Sequence, residues 1–159
     1  MTVLGLSCPT EEVESHCLMQ WAHYRSFEFR GRTLRLSQYL IHVPNGAYLG
    51  KDPRTRTITM GKLKAAGLRP GCFDYLLPVP CEKLGYPGLW LELKRLQGGK
   101  VSDEQEKFER EMQFLGWRTE ICRGWQAAAE LIDHYLQIAA TRSIPIGSTR
   151  LAQGSNVSA

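Results

Sequence analysis

Two predicted strands of this 159-residue chain carry charged side chains that core packing does not explain. Glu92 lies in the middle of the apolar run Leu89–Lys94, where an unpaired carboxylate is costly to bury. Because strand side chains alternate between the two faces of a sheet, Glu92 and Lys94 share one face. Asp74 lies in the same way inside the predicted strand 73–77. If the two strands pair as a hairpin, Asp74 comes close to Glu92 and Lys94.

Two carboxylates that converge in a half-buried pocket repel each other, so one of them tends to take up a proton. A divalent cation removes this conflict, and Mg²⁺ typically binds one or two carboxylates together with water and substrate phosphate oxygens. Such a metal polarises a phosphoryl oxygen and supplies or orients a water nucleophile. Lys94 would orient or activate that water, or stabilise the charge of the transition state. This combination of residues is typical of phosphodiester hydrolysis.

The same spacing also fits a purely structural interpretation. Glu92 and Lys94 would then form a solvent-facing pair on an exposed sheet face. Asp74 would end its strand by accepting backbone N–H bonds. The spacing alone leaves both interpretations open.

The net charge of +4 hides an asymmetry along the chain. Residues 23–70 carry ten Lys or Arg against two acids, whereas residues 101–135 carry four against eight. A basic half in a nearly neutral chain indicates a polyanion that contacts one face, but it also fits a solvated basic surface without a partner. We select four cations as candidate phosphate contacts, which are Lys62, Lys64, Arg69 and Lys100.

The elements that must position these residues form one mixed α/β domain. Thr10 and Ser102 stand at predicted helix N-caps, and Gln105 stands where a capping box places a Glu or Gln. In chain order we predict a helix over 10–23, a strand over 39–43, a basic loop over 45–58, a short helix over 59–66, strands over 73–77 and 89–94, a helix over 102–116, a strand over 118–122 and a helix over 125–139.

Length and composition fit a single domain with a short segment at each end. Residues 1–9 are an extension, residues 10–140 the domain and residues 141–159 a disordered tail. Since no apolar run reaches about 18 residues and no basic region opens the chain, we expect neither a membrane span nor a signal peptide. The five cysteines form no Cys-x-x-Cys pair, which favours reduced thiols in the cytoplasm.

Three motifs surround the candidate residues, and they are Gly71-Cys72-Phe73-Asp74, Trp90-Leu91-Glu92-Leu93-Lys94 and Ser102-Asp103-Glu104-Gln105. Together they resemble the virus-type replication-repair nuclease (VRR-NUC) domain of the PD-(D/E)XK nuclease superfamily. The resemblance covers roughly residues 10–137 and includes the opening helix, the stretch before the Asp motif and the closing strand and helix. It implies a restriction-endonuclease-like α/β fold, in which a mixed central sheet is flanked by helices.

The resemblance also implies roles for individual residues. Asp74 and Glu92 would bind the metal together with the backbone carbonyl of Leu93. Lys94 would be the catalytic lysine of the Glu-x-Lys motif. Gln105 would lie beside the active site, although a capping box also explains a Gln at this position.

The carboxylate of the family's first helix has two candidates in this chain. Glu11 matches best by its position after Thr10, but Glu14 lies on a similar helix face. The chain also departs from the superfamily pattern, because Phe73 stands where a Pro usually precedes the Asp. That position mainly shapes the backbone, so we expect activity to be retained.

As a function, the resemblance implies a DNA endonuclease that uses Mg²⁺ or Mn²⁺ and no organic cofactor. Stand-alone domains of this type resemble Holliday-junction resolvases, so branched DNA and a homodimer are expected. They are typical of phages, which would place the protein in the cytoplasm of a bacterial host. The alternatives are a flap, nicking or restriction-like nuclease, a non-catalytic DNA-binding module with the same fold, and an α/β domain that binds an acidic protein.

Overall fold

The computed structural model describes residues 8–43 and 52–141, with four helices, six strands and one short 3₁₀ turn in those ranges. The helices are α1 (Glu11–Tyr24), α2 (Pro53–Ala65), α3 (Asp103–Phe114) and α4 (Trp125–Ala140). The strands are β1 (Ser26–Phe29), β2 (Arg32–Arg35), β3 (Ile41–His42), β4 (Tyr75–Leu77), β5 (Leu89–Lys94) and β6 (Arg118–Arg123), and the 3₁₀ turn is Leu36–Gln38.

A mixed four-stranded sheet forms the centre of the fold, in the order β3-β4-β5-β6. Strands β3, β4 and β5 are antiparallel neighbours, so β4 and β5 form the expected hairpin despite their long connection. Strands β5 and β6 are parallel, and α3 provides the crossover between them. The remaining two strands, β1 and β2, form a separate hairpin.

The sheet buries both of its faces against helices. The larger apolar cluster joins one face to α1 and α4, and Leu89, Leu91 and Leu93 of β5 contribute to it. A smaller cluster on the other face packs Phe73 against Phe108 of α3, with Trp90 of β5 at its edge. Strand β5 is therefore covered on both sides, which explains its almost continuous apolar sequence.

Several predicted elements are confirmed close to their expected ends. The Thr10 hydroxyl accepts the Val13 N–H at 3.3 Å and caps α1, and Ser102 and Gln105 form a complete capping box at α3. Strand β6 and helix α4 begin at the predicted residues. Asp74 precedes β4 instead of lying within it, because that strand is shorter than predicted.

Two expectations were wrong. We assigned no element to residues 25–38, but the chain forms β1 and β2 there, joined by Arg30 and Gly31 with φ values of 50° and 77°. The predicted basic loop over 45–58 contains the start of α2, which begins at Pro53. Residues 45–51 of that loop lie outside the described residues, as does the predicted tail beyond Thr141.

In the described part of the chain, no helix is both long and apolar enough to cross a membrane.

Candidate metal centre

The β4–β5 hairpin brings Asp74 next to Glu92. Tyr75 pairs with Leu91, so the antiparallel register places Asp74 opposite Glu92 at the next position along the chain. The Asp74 Oδ2 atom accepts the backbone N–H of Leu93 at 3.1 Å. This bond fixes one carboxylate oxygen of Asp74 against β5 and leaves its other oxygen for a further ligand.

Glu92 is buried, with 1% of its surface exposed, and its two carboxylate oxygens have different surroundings. The Oε1 atom accepts a bond from Lys94 Nζ at 2.6 Å and another from the side-chain amide of Gln105. The Oε2 atom is buried and has no hydrogen-bond partner among the described residues. A buried carboxylate oxygen without a partner carries a large desolvation cost, so it is a candidate ligand for a cation.

The buried position of Glu92 and Lys94 excludes the solvent-facing pair that the sequence left open. Both side chains are almost inaccessible, with 1% and 8% of their side-chain surfaces exposed. They lie on the side of the sheet that faces α3, together with Trp90, whose indole N–H is also buried without a partner among the described residues. Charged side chains are rarely buried to this extent in a small domain without a partner or a ligand.

Gln105 has two roles at once, because its amide group has two polar ends. Its Oε1 atom accepts the backbone N–H of Ser102 at 3.0 Å and closes the capping box of α3. Its Nε2 atom donates to Oε1 of Glu92. The helix start therefore holds the Glu92 carboxylate in one orientation, and the two interpretations of Gln105 are compatible.

The pKa values of the two carboxyls reflect their crowding. Burial, followed by the charge of Asp74, raises the pKa of Glu92 to about 7, against the opposing effect of Lys94. Burial also raises the pKa of Asp74, and the bond from Leu93 and the charges of Lys94 and His42 lower it in part. Without a cation, the two carboxylates repel each other, and bound positive charge would relieve that repulsion.

The donor set at this centre fits a hard divalent cation. Asp74 and the free Oε2 atom of Glu92 supply carboxylate oxygens, and the predicted carbonyl ligand belongs to Leu93, whose N–H binds Asp74. Over the described ranges, no three His, Cys, Asp or Glu side chains converge to form a metal site. A protein that supplies only two carboxylates leaves the remaining positions to water and phosphate oxygens, which is the usual environment of Mg²⁺.

The structure places Glu11 and Glu14 at different sites. Glu14 is buried, and its Oε2 atom accepts the N–H of Trp125 at 2.8 Å. That bond caps α4, whose own N-cap residue, Gly124, provides no side-chain bond.

Glu11 faces the centre instead, because a Cβ atom on Gly99 would lie 3.3 Å from Glu11 Oε1 and 3.0 Å from Lys94 Cβ. A side chain at position 99 would press on Lys94 and Glu11, so a glycine suits the close approach of the loop after β5.

His42 is a neighbour of the centre that the sequence analysis did not select. It lies exposed on β3, opposite Tyr75, and its ring centroid is 5.1 Å from that of Tyr75. The Tyr75 hydroxyl is in turn hydrogen-bonded to Ser15 of α1, so the ring beneath His42 is fixed. No local pattern signals this histidine, since its position next to Asp74 depends on the pairing of β3 with β4.

The four candidate phosphate contacts differ in their surroundings. Lys62, Lys64 and Lys100 are exposed, and none forms an ion pair within the described residues. Arg69 forms an ion pair with Glu111, and its guanidinium lies 5.3 Å from the centroid of the Phe108 ring. Arg69 is therefore held in place, whereas the three lysines are free to follow a ligand.

The raised pKa of Glu92 predicts how the stability of the metal-free protein depends on pH. In the folded chain this carboxyl keeps its proton up to about pH 7, against an ordinary value of 4.5. The folded state thus binds more protons between these two values, so the free energy of unfolding falls as the pH rises through this window. The contribution amounts to about 3 kcal/mol, and it is fully lost above pH 7.

Urea denaturation in EDTA at pH 5.5 and pH 8 measures this effect, with Glu92→Gln as the control. All other titrating groups act in both proteins, so the loss of stability at pH 8 should be larger in the wild type than in Glu92→Gln. Excess Mn²⁺ should restore much of the lost stability of the wild type, because a bound cation favours the ionised carboxyl. An equal pH dependence in the two proteins would contradict the assignment.

The four-stranded mixed sheet with α1 and α4 on one face and α3 on the other defines a restriction-endonuclease-like α/β fold. The chain shares this fold with a solved structure named "VRR_NUC domain protein", with a TM-score of 0.64 and 19% sequence identity. The match covers 83% of this chain and 92% of that one. No family model and no curated protein matches the sequence. The fold that the sequence motifs imply is confirmed by this likeness.

Proposed function

We propose that the chain is a metal-dependent endonuclease that hydrolyses DNA phosphodiester bonds. The observation that carries this proposal is the environment of the buried Glu92, which lies next to Asp74. Its Oε1 atom is bound by Lys94, whereas its Oε2 atom has no hydrogen-bond partner among the described residues. A structural role explains the ion pair between Glu92 and Lys94, but it does not explain a buried carboxylate oxygen without a partner. The fold shared with a VRR_NUC domain protein agrees with the same function.

In the proposed mechanism, Asp74, Glu92 and the Leu93 carbonyl would hold Mg²⁺ or Mn²⁺. When bound, such a cation polarises a phosphoryl oxygen and lowers the pKa of a water nucleophile. Lys94 places its positive charge next to Glu92 and stabilises the charge that develops on the phosphoryl group. Gln105 fixes the orientation of the Glu92 carboxylate through its side-chain amide.

We assign the helix carboxylate of the site to Glu11. Its side chain is exposed at the loop that covers Lys94, and its charge raises the pKa of Asp74. From that position, Glu11 would hold a water molecule of the metal or the attacking water by a hydrogen bond. Glu14, by contrast, is already used by α4.

Substrate binding would depend mainly on the DNA backbone. The exposed cations Lys62, Lys64 and Lys100, together with Arg69, would contact phosphates, and we find no helix-turn-helix or zinc motif in the sequence that would read bases in duplex DNA. Branched DNA is the proposed substrate, and a homodimer would place two symmetry-related sites on two strands. Affinity should therefore fall steeply with salt concentration.

A cleavage panel tests the proposed function. Labelled four-way junction, flap, single-stranded and linear duplex DNA are incubated with Mg²⁺, Mn²⁺ or EDTA, and the wild type is compared with Lys94→Ala. We expect cutting only with a metal, fastest on a branched substrate, and about 10²- to 10³-fold slower in Lys94→Ala because transition-state charge is no longer stabilised.

Lys83→Ala is the matched control, since Lys83 is an exposed lysine outside the centre. It should cut like the wild type, which separates a specific role of Lys94 from a general loss of positive charge. Salt-sensitive DNA binding without cutting under any metal would refute the enzyme and favour a DNA-binding module. Absence of DNA binding would refute both.

A further inference from the structure

A cavity of about 290 Å³ lies next to the metal centre, between the second half of α2 and the first turn of α3. Part of its wall is apolar and consists of Met60, Leu68 and Pro70. A cavity of this size approaches the lower end of the volumes that small organic ligands occupy. Its apolar wall offers a surface on which a flat ring can pack.

The polar part of the same wall carries charges of both signs. Lys64 and Arg69 supply positive charge, and Arg69 is held by Glu111. Glu104 supplies a carboxylate, which makes no ion pair with another described residue. Cations, a hydrogen-bond acceptor and an apolar wall match three features of a nucleotide, namely its phosphate, the polar edge of its base and the face of the base ring.

The position of the cavity relative to the metal centre is fixed by two segments that they share. Gly71 lines the cavity and lies three residues before Asp74, and a Cβ atom at Gly71, whose φ is 76°, would collide with the backbone of Glu104. The loop therefore lies directly on α3. Ser102 also lines the cavity and is bonded to Gln105, which binds Glu92. Both segments therefore connect the cavity to residues of the metal centre.

We propose that this cavity binds one unpaired nucleotide of the DNA substrate, next to the phosphate that is cleaved. Its base packs on Met60, Leu68 and Pro70, its phosphate contacts Lys64 and Arg69, and Glu104 accepts a bond from an exocyclic amino group. The inference rests on the proposed nuclease function and adds a substrate class to it, which is DNA with an unpaired nucleotide at the cleavage site.

An unpaired nucleotide fits better than a paired one for a physical reason. A base inside a duplex stacks on its neighbours and uses its Watson–Crick edge for pairing, so it cannot enter a cavity unless it leaves the stack. That cost is smallest at a branch, a flap or a mismatch, where pairing is already lost. Since a carboxylate accepts from the amino group of cytosine and thymine has no such group, the cavity should favour cytosine over thymine.

Abasic substitution tests the cavity through cleavage. Each unpaired nucleotide of the preferred branched DNA is replaced in turn by an abasic analogue, and kcat/KM is measured. We expect a loss of about 10- to 100-fold at one position in the wild type, because packing of one base is lost there. In Leu68→Ala and Met60→Ala the same substitution should have a much smaller effect, since the wall that contacts the base is already reduced.

Leu84→Ala is the matched control, because Leu84 is exposed and lies outside the cavity. It should show the same abasic sensitivity as the wild type. Equal sensitivity in Leu68→Ala, Met60→Ala and Leu84→Ala would overturn the proposal, and so would a wild type that cuts the abasic substrates as fast as the intact one.

A binding measurement separates failure of the cavity from failure of the nuclease function. In EDTA, 2-aminopurine replaces each unpaired base, and its fluorescence should rise on binding at one position as the base leaves its stacked neighbours. This rise should be lost in Leu68→Ala and kept in Leu84→Ala, even if the protein cuts no DNA. A rise that persists in Leu68→Ala, or no position-specific rise in the wild type, would overturn the proposal.

Discussion

Asp74→Asn should lower the rate of metal-dependent DNA cleavage by about 10⁴-fold and at the same time stabilise the metal-free protein. The loss of rate follows from the several kcal/mol of transition-state stabilisation that a catalytic metal supplies, since an amide is a much weaker ligand than a carboxylate. The gain in stability has a separate cause. The side-chain amide of this variant still accepts the Leu93 N–H through its oxygen, but it no longer repels the buried charge of Glu92.

The direction of the stability change follows from the pKa of Glu92. The charge of Asp74 is the second cause of its rise, after burial. Removing that charge at pH 8 lowers the cost of ionising the buried Glu92 and should raise the Tm of the metal-free protein. Added Mn²⁺ should raise the Tm of the wild type but have little effect on the variant.

Asp133→Asn is the control for this experiment. Asp133 is also a paired aspartate, bonded to Arg25 at 2.8 Å, but it lies on α4 at the surface. Its replacement should cost up to about 1 kcal/mol of stability and leave cleavage unchanged. If Asp74→Asn also lowered the Tm in EDTA and retained cleavage, Asp74 would be an ordinary structural residue and the proposed centre would be wrong.

The two opposite effects expected of Asp74→Asn, a loss of cleavage and a gain of stability, have a general explanation. A site that must bind a divalent cation keeps negative charges closer together than the folded chain alone would favour. If the proposed centre binds a cation, the metal-free protein is less stable than its fold permits, which is a common consequence of function. The fully packed β5, in contrast, shows no such conflict on the face formed by its leucines.

Local patterns in the sequence were sufficient to predict most of the central sheet. Strand β5 is mostly apolar because both of its faces are covered, and its Glu92 and Lys94 stand out against that background. The caps at Thr10 and Ser102 are local interactions, so they can be read directly from neighbouring residues. Elements of this kind depend on little beyond their own sequence.

The missed elements had unusual local signals. The β1–β2 turn uses Arg30 and Gly31, both with positive φ, where Asn-Gly is the common pair. The first half of α2 was missed, although Asp52-Pro53 is a typical helix start, because its high density of charge and low hydrophobicity favoured a loop; the second half lies within the helix predicted over 59–66. Strands β1 and β2 also pack against α4 and α1, and this tertiary context compensates for their weak local signal.

No local sequence pattern could decide whether Glu11 or Glu14 is the helix carboxylate of the site. Both residues lie on similar faces of α1, and the difference between them comes from Gly124, more than a hundred positions away. Because Gly124 provides no side-chain cap for α4, a carboxylate from α1 must satisfy the N–H of Trp125. The position of His42 depends in the same way on a pairing between distant strands.

The two glutamates should therefore respond to mutation in opposite ways. Glu14→Ala removes the acceptor of the partly buried N-terminus of α4 and should cost about 2 kcal/mol of stability, from the lost cap and the unsatisfied N–H. Glu11→Ala removes an exposed side chain and should leave the stability unchanged. Cleavage should instead fall about 10- to 100-fold in Glu11→Ala, because a water held at the centre loses a partner.

Urea denaturation and single-turnover cleavage on the same preparations measure both effects. Cleavage by Glu14→Ala must be compared at a temperature where the variant is still folded, and it should then approach the wild-type rate. Glu12→Ala is the control, as Glu12 is an exposed acid on the same helix turn and should change neither property. A stable Glu14→Ala that cuts no DNA, together with a fully active Glu11→Ala, would reverse the assignment and place Glu14 in the active site.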